Sequence, residues 1–121
     1  MGLTTSTREV GGVTIVDIKG RIVLGEESAA VRDLVCELLS KGQKQILLNL
    51  AGVEYIDSMG LGSLVGAFVT VRKQGGHLKL LNLNTQVTDV MQITKLYTVF
   101  DVSNDEAAGV ASFDQSSSAT A

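Results

Sequence analysis

Residues 53–69 read VEYIDSMGLGSLVGAFV, an apolar stretch broken by a carboxylate, a hydroxyl and two glycines. Asp57 and Ser58 stand where a strand-like segment hands over to one with helical spacing, because Leu61, Leu64, Val65 and Phe68 mark a single stripe. A helix start leaves backbone N–H groups without intrahelical partners and carries the positive end of the macrodipole. Ser58, at or near the N-cap, therefore offers a hydroxyl where an anion is welcome. A phosphoryl group on its Oγ would accept first-turn N–H bonds. The plainer reading is that Asp and Ser are ordinary capping residues, worth about 1 kcal/mol and nothing more. Gly60, Gly62 and Gly66 would then only let the helix lie close to its sheet. Two features stand against it. A cap needs one polar side chain and two are present, and glycine in a helix costs about 1 kcal/mol against alanine. Accepting that cost at Gly60 and Gly62 fits room kept for a close-approaching group.

The elements that must position this doublet follow from periodicity. Residues 13–19, VTIVDIK, alternate as a half-buried strand with Thr14, Val16 and Ile18 on one side, and Gly11-Gly12 suits a hairpin turn from a first strand near 3–9. In EESAAVRDLVCELLSKG, the residues Ala30, Val31, Leu34, Val35, Leu38 and Leu39 form a helical stripe, with Glu26 and Glu27 in the first turn and Gly42 past the end. QILLNL (45–50) and HLKLLNL (77–83) share LLNL and read as strands covered on both faces. A helix carrying Val87, Val90, Met91 and Thr94, capped by Asn84 or Thr85, follows the second. TVFDV (98–102) reads as a last short strand, with Ser103 and Glu106 as a capping box for a helix near 104–112. The order β-β-α-β-α-β-α-β-α predicts an α/β fold: one domain over 1–112, a mixed, mostly parallel sheet of four to five strands and about four helices. The tail 113–121 is expected to be disordered.

Composition narrows the function classes. The chain has 121 residues, 45% hydrophobic and 19% charged, which suffices for one core. Acidic residues outnumber basic ones 13 to 10, for a formal charge of −3. That balance matches neither nucleic acid nor an anionic membrane. Apolar runs are too short to span a bilayer, no signal segment opens the chain, and Cys36 is the single cysteine, so a cytoplasmic protein is expected. The opening MGLTTS fits a loose myristoylation pattern through Gly2 and Ser6 but reads better as the approach to a strand. The oligomeric state is left open, a monomer being compatible.

YIDSMGLGSLV, preceded by ILLNL and followed by RKQGGHLKLLNL, resembles the STAS domain of bacterial anti-sigma factor antagonists, over about residues 8–112. In that family an Asp-Ser-(Ser/Thr)-Gly-Leu-Gly motif opens the second helix, here Asp57-Ser58-Met59-Gly60-Leu61-Gly62. The resemblance implies that the unmodified domain binds an anti-sigma factor, a serine kinase of the histidine-kinase-like ATPase fold, and so frees the sigma factor. It implies further that the kinase phosphorylates Ser58, which abolishes binding, that a metal-dependent phosphatase resets it, and that Asp57 to Gly62 form the partner site. No cofactor or bound metal is implied. Two departures stand out: Met59 replaces the second hydroxyl, and GRIVLG, with Val23 nearest, replaces a loop that often carries an Asp before the first helix.

Other chemistries remain to be weighed. A receiver domain would use Asp57 as phospho-acceptor but needs an acidic pair for Mg²⁺, and Asp17 has no second carboxylate beside it in sequence. A Ser58 nucleophile needs a base, and the single histidine, His77, reads as a solvated residue opening a strand. No phosphate-cradling Gly-Lys-Ser loop and no His/Cys cluster is present, so catalysis is not expected. A constitutive STAS scaffold, with Tyr55, Ile56, Met59 and Leu61 as a plain docking patch, is the alternative to a phospho-switch.

Overall fold

Gly11 and Gly12 have φ of 58° and 81°, the left-handed pair that closes a two-residue hairpin with the twist of its strands. The turn joins β1 (Thr4–Val10) to β2 (Val13–Ile22) in an unbroken antiparallel register from Val10↔Val13 to Thr4↔Lys19. The computed structural model describes residues 3–23 and 26–120, and side chains within 3–23 and 29–113. Beyond the hairpin come α1 (Glu26–Ser40), β3 (Gln45–Ile56), α2 (Ser58–Lys73), β4 (His77–Leu81), α3 (Thr85–Thr94), β5 (Val102–Ser103) and α4 (Glu106–Thr120). The sheet runs β1-β2-β3-β4-β5, with every pairing after the first parallel. This is the mixed, mostly parallel α/β order expected.

One face of the sheet takes three helices. Val16, Ile18, Ile46, Leu48 and Leu80 meet Val31 and Val35 of α1, Leu61 and Leu64 of α2, and Val87 and Met91 of α3. Each fully buried aliphatic side chain is worth about 1.5–3 kcal/mol, so this layer carries the fold. The helical stripes match those expected, except that Ala30 is exposed.

The other face and the last strand correct four expectations. β2 is not half-buried: Val13 and Ile15 are covered as fully as Val16, because α4 lies over them. α4 continues past 112 through the stretch assigned to a disordered tail, and Phe113 is only 2% exposed, packed with Val13, Ile15, Leu47 and Leu81. Its start is not capped by Ser103: the Asp105 carboxylate accepts from the Ala108 N–H at 3.0 Å, and Glu106 is occupied elsewhere. The strand expected at 98–102 is two residues, Val102–Ser103, because Leu96–Thr98 form a 3-10 turn after Lys95 turns left-handed at φ 62°. Glu26 and Glu27, expected to favour the first turn of α1, and Gly2 lie outside the described side chains.

Polar ties fasten α4. Arg8 donates from Nε to Asp17 at 2.8 Å and from Nη2 to Glu106 at 2.6 Å, while Asn49 Nδ2 donates to Asp17 at 2.7 Å. The buried Lys79 ammonium donates to the Ser112 carbonyl at 2.9 Å and stands 4.9 Å from the centre of the Phe113 ring. A buried cation is tolerated only when held in this way.

Hydrogen bonds from Arg8 hold the Asp17 and Glu106 carboxylates below their ordinary range. Groups with depressed folded pKa values stabilise above the unfolded range and lose that contribution as pH falls. Thermal melts of wild type and Arg8→Ala should therefore differ modestly at pH 7, the pairs being solvent-exposed. The difference should shrink below about pH 4. A difference unchanged down to pH 3 would contradict these ties.

Candidate functional site

At the carboxyl end of β3 the chain turns against its neighbour. Ile56 is fully buried and in register with Ile22, and the Asp57 N–H donates to the Ile22 carbonyl at 3.3 Å. Asp57 is extended (φ −97°, ψ 175°); its carboxylate accepts from the Gly60 N–H at 2.6 Å and its carbonyl from the Leu61 N–H at 2.9 Å. The N-cap is therefore Asp57, and Ser58 is the first residue inside α2. This answers why two polar side chains stand together. The carboxylate does the capping, and the hydroxyl is left free: Ser58 is exposed and its Oγ makes no hydrogen bond among the described residues. The Ser58 and Met59 N–H groups likewise have no protein acceptor there.

The motif divides into residues that shape the site and residues that face outward. A Cβ on Gly60 would collide with the Ile22 carbonyl, so this glycine makes room for the protein's own backbone and not for a visitor. Leu61 is fully buried in the core under the helix. Gly60 and Leu61, expected among the partner contacts, thus act from within. Nothing lies within 4 Å of a Cβ built on Gly62, which is exposed on the same side as Ser58, one turn on. Met59 is 57% exposed and Tyr55 38% exposed, the latter under the Arg21 guanidinium at 5.1 Å. Ser58, Met59, Gly62 and Tyr55 make the accessible surface.

Two residues that the motif does not contain hold it in place. Gln86, in the first turn of α3, donates from Nε2 to the Ile56 carbonyl and accepts from the Ile56 N–H, both at 2.9 Å. Asn84 caps α3 by accepting from the Val87 N–H at 2.8 Å while donating to the Val53 carbonyl at 2.6 Å. β3 stays paired with β2 to Ile56, but on its other edge it has no β4 partner beyond Asn49↔Leu81, and these amides stand in for one there. The polar run NTQ (84–86) after LLNL was the available signal, legible as a cap but not as a clamp.

Rival chemistries lose their geometry. His77 opens β4 opposite Gln45, whereas Ser58 follows Ile56 at the other end of β3. Eleven residues at about 3.3 Å each put them more than 30 Å apart along the strand. His77 is half-buried and its Nδ1 lies 3.1 Å from Gln45 Oε1; burial, then Lys79 and Arg72, push its pKa down, so it is not the solvated residue expected. Asp17 is engaged by Arg8 in mid-strand, and the Asp57 carboxylate by Gly60.

Gly60→Ala should cost about 1–3 kcal/mol by overpacking, whereas Gly62→Ala should be neutral or stabilise by up to about 1 kcal/mol. Chemical denaturation of both variants checks the contrast, and equal effects would refute it. In Gln86→Ala, hydrogen exchange at the Ile56 amide should rise while that of Ile46 is unchanged; unaltered Ile56 exchange would remove the clamp from the account.

The chain matches the STAS domain family over residues 4–109. It is 37% identical over 95 residues to the anti-sigma-B factor antagonist of Bacillus subtilis, covering 78% of this chain and 85% of that one. The structure of an anti-sigma factor antagonist from Mycobacterium paratuberculosis superposes with a TM-score of 0.78 at 18% identity, covering 93% and 95%. SpoIIAA of Bacillus in its phosphorylated form superposes with a TM-score of 0.65 at 19% identity, covering 87% and 96%; these two likenesses concern the fold. With the sheet order, the helix-opening DSMGLG turn and these matches together, the chain belongs to the STAS domain family, among the anti-sigma factor antagonists.

Proposed function

We propose that the unmodified chain docks the exposed start of α2 onto an anti-sigma factor, so freeing a sigma factor, and that phosphorylation of Ser58 ends this docking. The observation that carries the reading is the division of labour at the helix start. Asp57 and Gly60 hold the turn, and the Ser58 hydroxyl is spare. The docked partner is an ATP-dependent serine kinase: Ser58 Oγ attacks the γ-phosphorus, its proton passes to a base on the kinase, and ADP leaves. A metal-dependent phosphatase restores the hydroxyl. Met59 supplies no second acceptor, so modification falls on Ser58 alone.

The charge arithmetic supports a switch at the surface. Phosphoserine adds about 1.5–2 negative charges at pH 7. The free N–H groups of Ser58 and Met59 and the helix dipole offset part of that charge within the domain. A partner carboxylate about 5 Å away meets roughly 3 kcal/mol of repulsion per charge at an effective dielectric near 20, and burying the dianion costs more. A loss of at least about a hundredfold in affinity follows. The neighbouring Met59 and Tyr55 give the unmodified surface an apolar component suited to burial against the partner.

The test is calorimetry against the anti-sigma factor of the host, with Ser58→Ala and Ser58→Glu variants and [γ-³²P]ATP labelling. Ser58→Ala should bind within a few-fold of wild type and take no label. Ser58→Glu should weaken by tenfold or more, and enzymatic phosphorylation by about a hundredfold. Should Ser58→Glu and the phosphorylated chain both bind as tightly as wild type, the protein is a constitutive docking module and the switch is refuted.

A further inference from the structure

Where neighbouring strands of an open α/β sheet send their following helices to opposite faces, the chain parts beyond the strands' carboxyl ends and leaves a crevice; here it does so without the reversal of strand order that marks dinucleotide-binding sheets. The described helices place that point at one position. α1, α2 and α3 follow β2, β3 and β4 onto one face, and α4 follows β5 onto the other. The chain therefore divides between the adjacent parallel strands β4 and β5, which pair as Leu80↔Val102 and Leu81↔Ser103.

A cavity of about 360 Å³ lies there. Leu83 follows β4, Val102 opens β5 and Asn104 follows it, Tyr97 and Phe100 come from the segment leading into β5, and α3 closes one side. Its volume falls at the small end of the range for ligand sites, about 300–1,000 Å³. Met91 and Phe100 form a buried apolar floor, and Tyr97, 55% exposed, stands at the rim. The polar groups are Thr88, Gln92 and Asn104, all neutral, and no charged side chain lines the cavity. Among the described residues the side chains of Thr88, Gln92, Asn104 and Tyr97 make no hydrogen bond to protein. That contrasts with Asn84 and Gln86 nearby, each committed to the backbone at both ends of its amide.

We propose that this cavity is a binding site for a small, neutral, ring-bearing molecule carrying an amide-like polar edge. The ring stacks among Phe100, Tyr97 and Met91, and the edge pairs with the Gln92 and Asn104 amides and the Thr88 hydroxyl. An anion or cation finds no counter-charge in the lining, and desolvating it there is costly. The site is separate from the docking surface at Ser58 and does not depend on that reading.

Indole-3-carboxamide and nicotinamide, with their charged twins indole-3-carboxylate and nicotinate, test this by titration into the ¹⁵N-labelled full chain. At least one carboxamide should give saturable shifts at Leu83, Thr88–Gln92 and Tyr97–Asn104, with Kd of about 1 mM or tighter and its carboxylate twin tenfold weaker. Val102→Trp, which fills the mouth from a 40% exposed position, should abolish those shifts. The double variant Gln92→Ala/Asn104→Ala, at two exposed positions, should weaken them several-fold with the rest of the spectrum unmoved. Absence of saturable shifts with both carboxamides, equal binding of a twin pair, or undiminished binding to the double variant would overturn the proposal.

Discussion

The chain reverses between β3 and α2 with no room to spare, and the placement of everything exposed at the site follows from that. Ile56 and Leu61, on either side of the turn, are both fully buried, each worth about 1.5–3 kcal/mol. The Asp57 cap adds about 1 kcal/mol. Packing therefore decides where the turn falls, and the cap sharpens it. With both flanks pulled inward and residue 60 pressed on the Ile22 carbonyl, the first turn of α2 can direct only Ser58 and Met59 outward. A hydroxyl in that position is accessible without any element moving.

The rest of the molecule keeps this turn still. Gln86 and Asn84 hold the far end of β3 by side-chain amides on the edge that β4 no longer reaches, coupling the start of α3 to the start of α2. On the opposite face, α4 covers the sheet through Phe113 and is tied down by Lys79 and by the Arg8 pairs. The layers thus serve different ends: three helices build the larger core layer and leave the start of α2 exposed, and the fourth covers the sheet's second face. Because Asp57 already occupies the Gly60 amide, added charge at Ser58 falls on groups not needed for the turn, so its effect belongs to the surface and not to the fold.

Much of this was legible from the residues. Stripes of Leu and Val placed α1, α2 and α3, and the two LLNL runs placed β3 and β4, because apolar periodicity reflects burial directly. The doublet at 57–58 was recognisable as a helix start. Which of the two capped was not, since Asp and Ser cap equally well and only the bond to Gly60 decides. Gly60 and Gly62 look alike as letters, yet one touches backbone and the other open space. The Gln86 clamp was illegible for a similar reason: a side-chain amide replacing a strand partner leaves no periodic mark. The full length of α4 is illegible because a weakly apolar segment reads as unpaired until Phe113 has its place on the sheet's second face.

The central claim is that negative charge at Ser58 alters the surface while the turn beneath it is unchanged. The most direct measurement is amide hydrogen exchange, residue by residue, on the chain before and after stoichiometric phosphorylation of Ser58. The account predicts that the Gly60 and Leu61 amides, bonded to Asp57, keep their protection, and that changes stay within Tyr55–Gly62. Loss of protection at Gly60, or spread of change into the strands at Ile46 and Leu48, would contradict it.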